Sequence, residues 1–183
     1  MSDGEAHAIL NIRPGEPSDI DVLADIERET AAMFTPDTLP PVLAQPLPAA
    51  ELWIAMRASL LWVAEIVSAG PVGFLLAETY GAALHIREMD VCPRFGRRGV
   101  GGSLLQHACQ VAGLLRLGCL TLTTFRSVPW NAPFYAKHAF VPATNLHRFP
   151  HLQHALLYEA HLGLRNRVAM VRTLEHERSG HRG

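Results

Sequence analysis

The sequence predicts an α/β domain, and three observations support that prediction. An apolar run over residues 82–91 leads through a glycine-rich loop into a run with helical spacing at residues 104–115. Two more apolar runs precede residue 82, and short turns that contain glycine separate them, as in β-hairpins. A β-branched run at residues 120–125 is followed by a second helical pattern. Strands and helices therefore alternate along one chain, which is typical of α/β and α+β folds.

Length and composition indicate one ordinary globular domain. The chain has 183 residues, of which 49% are hydrophobic and 18% charged, and its formal net charge of −1 argues against a nucleic-acid-binding surface. We expect a single domain over residues 8–174 and a polar tail over residues 175–183. The first eight residues lack the basic and apolar pattern of a secretory signal, and no apolar run is long enough to span a bilayer. A cytoplasmic protein is therefore expected.

The first third of the chain predicts a strand and two helices. Residues 8–13 alternate in polarity as a short strand does, and Ser18 with Asp21 suggests a capping box for a helix that ends near Met33. Residues 34–50 are rich in proline and show no helical period, so they predict a loop. It is longer than a simple connection between two helices, which indicates a functional role. A second helix is expected over residues 51–60.

The middle and the end of the chain predict further elements with clear boundaries. Strands are expected at residues 61–68, 71–79 and 82–91, with tight turns at Ala69-Gly70 and Tyr80-Gly81. The helix at 104–115 should end at Gly118. After the strand at 120–125 we expect a helix around Tyr135, a helix at 150–162 and a last strand at 168–174.

The loop before the 104–115 helix has the composition of an anion-binding site. It contains four glycines, two arginines and a serine: Gly96, Arg97, Arg98, Gly99, Gly101, Gly102 and Ser103. Glycines let a backbone approach a ligand closely, and the start of a helix directs free N–H groups and a positive dipole toward it. The arginines add charge-assisted donors. A phosphate-bearing cofactor is predicted here.

Two common phosphate motifs do not fit this loop. A P-loop requires lysine and then serine or threonine after its last glycine, whereas Gly101 is followed by Gly102-Ser103. A dinucleotide-binding fingerprint that starts at Gly99 requires glycine or alanine at position 104, which is Leu104. It also requires an acidic residue about 20 residues later, and residues 119–124 contain none.

The segment from Val91 to Leu105, V-C-P followed by G-R-R-G-V-G-G-S-L-L, resembles the pyrophosphate loop of the GNAT superfamily of N-acetyltransferases. A second segment, Asn131 to Phe140, is similar to the superfamily's N-x-x-A/P-x-x-F-Y-x-K-x-G-F motif. The resemblance covers residues 8–174 and is most specific over residues 61–140. It implies a mixed, mostly antiparallel sheet of about seven strands flanked by helices. In that fold two central parallel strands splay apart, and the pantetheine arm of the cofactor lies between them.

The resemblance also implies a reaction, the direct transfer of acetyl from acetyl-CoA to an amine without a metal. Tyr135 matches the tyrosine that protonates the departing sulfur, although a plain core tyrosine is the alternative. Glu88 is the candidate base, directly or through water, with Asp90 second; a carboxylate paired with Arg87 or Arg126 is the alternative. The implied cofactor-binding residues are Met89, Val91, Arg97, Arg98, Gly99, Val100, Gly101, Gly102, Ser103 and Asn131.

The acceptor is expected to be a primary amine of a small molecule. The proline-rich loop, with Phe34, Trp53 and Trp130, is expected to wall the acceptor side. Glu27 and Glu29 could attract a cation, but a solvated helix face is the preferred interpretation. Acetylation of a protein N-terminus or lysine, and a coenzyme A-binding module without turnover, remain open. Exposed edge strands and an apolar last strand predict a homodimer.

Some residues depart from the motifs or suggest other chemistry. Gly96 stands where the superfamily usually has glutamine or arginine, and Ala139 replaces a glycine, at a cost of about 1 kcal/mol if its backbone is left-handed. The cysteines are interpreted as core residues, with a reactive Cys92 as the alternative. Three histidines near helical spacing predict a solvated helix face rather than a metal site: His147, His151 and His154.

Overall fold

The computed structural model describes residues 9–175 and contains, within that range, seven strands and five α-helices. Apart from the two-residue strand β6, for which no residues are predicted, their order is the predicted one. The elements are β1 Leu10–Pro14, α1 Ile20–Ala31, α2 Ala49–Arg57, β2 Leu61–Ile66, β3 Gly70–Tyr80, β4 Ala83–Val91, α3 Val100–Leu114, β5 Cys119–Phe125, α4 Ala132–Lys137, β6 Val141–Pro142, α5 Pro150–His161 and β7 Arg167–Thr173. Most predicted bounds are right to within three residues, and α3 begins four residues earlier than predicted.

The strands form one mixed sheet in the order β1-β2-β3-β4-β5-β7-β6. β4 and β5 are parallel, whereas β1 with β2, β2 with β3, β5 with β7 and β6 with β7 are antiparallel. The parallel ladder joins residues 83–85 to residues 119–121, although β4 continues to Val91 and β5 to Phe125. A short central parallel pair in a mostly antiparallel sheet is the arrangement that the sequence led us to expect.

The chain packs as two compact units. The described part of the first unit comprises residues 9–76 and 88–104, and its core includes Leu23, Leu52, Phe74 and Leu76. The described part of the second comprises residues 77–87 and 105–175, with a cluster of Leu152, Ala169 and Val171 under α5. The single domain expected over residues 8–174 stays a prediction. Residue 8 and most of the expected tail, residues 176–183, lie outside the described residues.

The start of α1 is held by a residue other than the predicted pair. Asp19, not Ser18 with Asp21, accepts the Glu16 backbone N–H at 2.8 Å, and the Arg13 guanidinium donates to both Asp19 oxygens at 2.8 Å. Burial alone would raise the pKa of Asp19, but the bonds from Arg13 and Glu16 outweigh it and lower the pKa. Arg13 also donates to Glu65 at 2.9 Å, so the chain entering α1 is tied to β2.

The end of α3 also differs from the prediction. The left-handed residue that ends the helix is Arg116, with φ 55°, and Leu117 N–H donates to Ala112 O at 2.8 Å across it. Gly118 lies beyond this cap, and its N–H donates to Ala82 O at 2.8 Å. The glycine therefore begins the approach to β5 rather than ending the helix.

The proline-rich segment between α1 and α2 has no helix or strand over residues 32–48, as predicted. Its backbone forms isolated turns, such as Leu43 N–H to Pro40 O at 2.8 Å. We call residues 32–48 the proline-rich loop. Within residues 9–175, no helix is both long enough and apolar enough to cross a membrane.

Candidate functional site

The glycine loop leads directly into α3, and the backbone N–H groups of the first turn of this helix are free. Gly99 has φ 83°, and a side chain there would meet no atom within 4 Å, so its left-handed backbone is the reason for glycine. The first intrahelical bond runs from Ser103 N–H to Gly99 O at 2.9 Å. The N–H groups of Val100, Gly101 and Gly102 therefore precede the hydrogen-bonded turns of the helix and are available to an anion.

The arginines of this loop lie around one aromatic ring. The guanidinium carbons of Arg94 and Arg98 lie 5.2 and 5.5 Å from the centroid of the Phe95 ring, and Phe95 packs against the core of the first unit. Arg97 is exposed and takes a left-handed backbone, with φ 58°. Arg94 was not predicted as a site residue, but it adds a third cation to the loop.

The loop follows a stretch of β4 that runs close beside β3. A Cβ atom on Gly73 of β3 would lie 2.7 Å from Asp90 O, closer than real Cβ atoms approach, and 3.2 Å from the Val91 Cα atom, which is also a tight contact. Cys92 N–H donates to Val72 O at 2.9 Å at the same place. The absence of a side chain at Gly73 therefore sets where the Asp90 end of β4 lies.

Three carboxyl groups interact within the first unit. Burial, and then the charge of Glu88, raise the pKa of Asp90 well above its usual range, while a hydrogen bond with Thr30 opposes the rise. Burial and the Glu88 charge likewise raise the pKa of Glu27 to about 7. Glu27 is 7% exposed, so the predicted solvated face is wrong for this residue.

Glu29, the other acidic residue considered on α1, is exposed and accepts a bond from Cys92 Sγ at 2.8 Å. Burial raises the pKa of all three thiols, Cys92, Cys109 and Cys119. A raised pKa lowers the thiolate fraction, which fits the interpretation of these cysteines as core residues.

Asn131 is the last residue before α4, and its side chain makes no hydrogen bond that caps the helix. Its backbone carbonyl accepts the Phe134 and Tyr135 N–H groups at 2.9 and 3.1 Å. Its side-chain Oδ1 is buried and has no hydrogen-bond partner among the described residues. A buried acceptor left without a donor costs about 1–3 kcal/mol, so this oxygen fits a site that a ligand N–H completes.

Tyr135 lies in α4 with 7% of its surface exposed. Its ring meets the Phe134 and Phe140 rings edge to face, at centroid distances of 5.3 and 5.6 Å. Ala139, which ends the helix, has the left-handed backbone considered from the sequence, with φ 62°. The ring of Tyr135 is thus fixed by the core of the second unit.

A second polar cluster lies in the second unit. Arg87 donates to Glu78 at 2.7 Å, and Tyr80 also donates to Glu78 at 2.8 Å. The alternative considered for Glu88, a pairing with Arg87 or Arg126, stays open.

Two histidines of the second unit share one hydroxyl group. Thr121 Oγ1 lies 3.1 Å from His85 Nδ1 and 3.0 Å from His151 Nε2. Burial, and then the charge of His151, lower the pKa of His85 to about 4. His151 stacks on Tyr80, with a centroid distance of 4.7 Å, so the predicted solvated face is wrong for His151. Within the described range, no three His, Cys, Asp or Glu residues are placed to hold a metal ion.

The predicted residues thus fall into two groups. Glu88, Asp90, Met89, Val91 and the glycine loop belong to the first unit, whereas Asn131 and Tyr135 belong to the second. Sequence reasoning missed the burial of Glu27. The signal was present, because the buried residues of α1 are Leu23, Ile26, Glu27 and Thr30, which follow helical spacing.

Comparison with known proteins gives a matching family model over part of the chain and a fold. A family model described as "Acetyltransferase (GNAT) domain" matches residues 57–142. Ard1 from Thermoplasma volcanium is similar in structure, with a TM-score of 0.67 and 20% identity over 91% of this chain and 99% of that one. The ribosomal-protein-S18-alanine N-acetyltransferase from Escherichia coli has a TM-score of 0.62 and 15% identity, covering 93% and 98%.

A third similar structure is N-acetylglutamate synthase from Neisseria gonorrhoeae complexed with coenzyme A and N-acetyl-glutamate. Its TM-score is 0.71 at 19% identity, and the match covers 93% of this chain but 36% of that one. At these identities the structural likeness establishes the fold, and the family model covers β2 to β6, which include the glycine loop and Tyr135.

Proposed function

We propose that this chain is a GNAT acetyltransferase and that it transfers the acetyl group of acetyl-CoA directly to a primary amine of a small molecule. The observation that carries the proposal is the glycine loop, which lies inside the family-matched segment and presents three free amides at the start of α3. The match to the acetyltransferase family model supports the reaction class, which is acetyl transfer. The acceptor and the roles of the individual residues are our own proposal.

The predicted cofactor-binding residues are of types that suit acetyl-CoA. The amides of Val100, Gly101 and Gly102 would bind the pyrophosphate together with the hydroxyl of Ser103, and Arg97 and Arg98 would pair with phosphate oxygens. The buried Oδ1 of Asn131 would accept an N–H of the pantetheine arm. Met89 and Val91 would offer backbone groups of β4 to the same arm.

The chemistry requires a base and an acid, and acetyl-CoA supplies the electrophilic thioester carbonyl when bound. We assign Glu88 the removal of a proton from the incoming ammonium, directly or through a water molecule. Burial and the charge of Glu88 raise the pKa of the neighbouring Asp90, so Asp90 holds its proton over a wider pH range than an ordinary carboxyl group and is less suited to be the base. The hydroxyl of Tyr135 would protonate the departing sulfur, whose basicity is close to its own.

A small amine is the acceptor that we favour. The proline-rich loop is held close to the carboxyl groups of the first unit by the contact between Leu47 and Glu27, and Trp53 on α2 is 45% exposed. An ammonium group suits a wall that carries Glu27, Glu88 and Asp90. We further propose a cytoplasmic homodimer without nucleic-acid or membrane partners.

Acetylation of a protein N-terminus is the second candidate. It is supported by the likeness to the S18-alanine N-acetyltransferase, which this chain matches over 98% of that enzyme's length. A protein substrate would need an open groove, whereas a small amine needs a closed pocket.

Binding and turnover test these proposals together. Acetyl-CoA should raise the thermal stability of the protein, and calorimetry should give saturable binding, while ATP and NAD should do neither. Release of free thiol should then depend on the amine, and a panel of small amines and N-terminal peptides would identify the acceptor class. Binding without thiol release on any acceptor would leave a coenzyme A-binding module, and no binding at all would overturn the proposed function.

A further inference from the structure

One carboxylate joins the proline-rich loop to α1. The backbone N–H of Leu47 donates to both oxygens of Glu27, at 3.1 and 3.3 Å, across 20 residues of sequence. Glu27 is buried, and the side chain of Leu47 packs against the core of the first unit. The end of the loop is therefore attached twice, by an apolar side chain and by a charge-assisted hydrogen bond.

The local sequence makes Leu47 a fixed donor. It lies between Pro46 and Pro48, so it supplies the one backbone N–H of this tripeptide. A following proline disfavours the helical region for Leu47 and confines it to extended backbone. The local sequence therefore fixes the direction of the Leu47 N–H by itself, and little conformational entropy is lost when its bond to Glu27 forms.

The strength of this bond depends on the charge of Glu27. A carboxylate is a stronger acceptor than a neutral carboxyl group. The charged groups that act on Glu27 are Glu88 and Asp90 on β4, Glu51 on α2 and Arg28 on α1. Burial and the negative charge of Glu88 oppose ionisation of Glu27, whereas the Leu47 N–H and Arg28 favour it.

We propose that Glu27 is a positioning residue for the amine acceptor: it holds the end of the proline-rich loop through Leu47, and a bound ammonium group tightens that hold. The second half of this proposal rests on the proposed function, because it takes Glu88 as the group that the ammonium approaches. The first half concerns this chain alone.

The coupling follows from charge. An ammonium beside Glu88 offsets the negative charge that opposes ionisation of Glu27, so more Glu27 is ionised and its bond to Leu47 strengthens. The tighter bond in turn favours the bound amine, because linkage is reciprocal. Below about pH 7, where Glu27 takes up its proton, the loop is held less firmly and the amine binds more weakly.

The contact itself is tested without activity, by the amide resonance of Leu47 in protein labelled with ¹⁵N-leucine. In the wild type this resonance should shift with a midpoint near pH 7, and the protection of the Leu47 amide from hydrogen exchange, relative to the intrinsic rate at each pH, should increase as Glu27 ionises. The titration should vanish in Glu27→Gln and persist in Asp21→Asn, which removes an exposed charge from the same helix. A resonance that does not titrate, or that titrates unchanged in Glu27→Gln, would overturn the proposal.

Kinetics test the effect on the acceptor. Loss of a charge-assisted bond in Glu27→Ala should raise KM for the amine by about tenfold while KM for acetyl-CoA stays within about twofold. Glu27→Gln keeps an acceptor oxygen, so it should have an intermediate KM for the amine, without the wild-type change near pH 7. Equal rises in both KM values would mean a general structural defect and would contradict a positioning role.

Leu47, the donor of the bond to Glu27, can be tested with a matched pair of variants. Leu47→Pro removes the N–H and Leu47→Ala keeps it, while both remove the leucine side chain. KM for the amine should therefore be higher in Leu47→Pro than in Leu47→Ala, and equal values would show that the bond plays no part in acceptor binding.

If no amine is acetylated but the Leu47 resonance titrates as expected, the proposed function fails and the Glu27–Leu47 contact stands. If amines are acetylated and the resonance does not respond to them, the coupling fails alone.

Discussion

Ala139 occupies a backbone position that favours glycine. Its φ is 62°, because the chain reverses there so that Phe140 N–H can donate to Tyr135 O at 3.1 Å and close α4. A left-handed backbone strains a residue that has a Cβ atom. The strain lies four residues after Tyr135, just beyond the end of the short helix that fixes this side chain.

Ala139→Gly should therefore stabilise the protein, by about 0.5–1 kcal/mol, since relief of strain exceeds the added freedom of the unfolded chain. Urea denaturation measures the change. Ala136→Gly, at an exposed position inside the same helix, should instead lose about 1 kcal/mol. Equal destabilisation by the two substitutions would show that the backbone at Ala139 is not strained.

Tyr135→Phe should lower kcat by about 100-fold or more, while the affinity for acetyl-CoA changes little, because the hydroxyl acts on the departing sulfur and the ring stays in the core. Tyr158→Phe is the control, since Tyr158 is 58% exposed on α5. Steady-state kinetics and calorimetry separate the two quantities. A normal kcat would show that Tyr135 is structural.

At the scale of elements, α3 shows how a glycine-rich sequence starts a helix. Gly101 and Gly102 disfavour a helix by their own propensity, which is why the spacing of apolar residues predicts a start at residue 104. The structure starts it at Val100, whose side chain is 2% exposed and is held by packing. Tertiary packing thus places the glycines in the first turn, where their amides are free.

Gly101→Leu should weaken acetyl-CoA binding by at least about tenfold, because a side chain in the first turn occupies the space that a phosphate needs. Gly113→Leu is the matched control. It lies in the same helix, and a Cβ there meets no atom within 4 Å, so binding should be retained. Calorimetry measures the affinity of each variant for acetyl-CoA. An unchanged affinity in Gly101→Leu would show that the glycine loop is not part of the cofactor site.

Much of the element order follows from sequence patterns, whereas contacts across sequence do not. Periodicity and turn residues predict the strands around Gly70 and Gly81, and two motifs predict the glycine loop and the Tyr135 helix. The Glu27–Leu47 contact joins residues 20 apart and leaves no local pattern. The cap at Arg116 is missed for a related reason, since packing there imposes a backbone that arginine does not prefer.

At the scale of the whole molecule, two buried groups give opposite dependences of stability on pH. The pKa of His85 is lowered to about 4, so the stability that it contributes is present above its unfolded pKa of 6.5 and is lost as pH falls toward 4. The pKa of Glu27 is raised from 4.5 to about 7, so its contribution is present below 4.5 and is lost as pH rises to 7. Asp90 acts in the same direction as Glu27.

His85 and Glu27 thus contribute slopes of opposite sign between about pH 4.5 and 6.5. Relative to the wild type, the free energy of unfolding of His85→Gln should fall as pH rises through this range, and that of Glu27→Gln should rise, by about 2–3 kcal/mol in each case. Urea denaturation at several pH values measures both slopes. His147→Gln, at an exposed position, should keep the wild-type curve; the same slope in all three variants would refute this assignment.

Gly73 gives the molecule a point of unusual sensitivity to mutation. Position 73 carries no chemical group, yet one added methyl group there would meet Asp90 O at 2.7 Å and push on the strand that bears Glu88. In a scan of all single substitutions, we expect position 73 to tolerate as little change as the catalytic positions. A random-mutagenesis survey would thus mark it as functional, although its role is only to leave space.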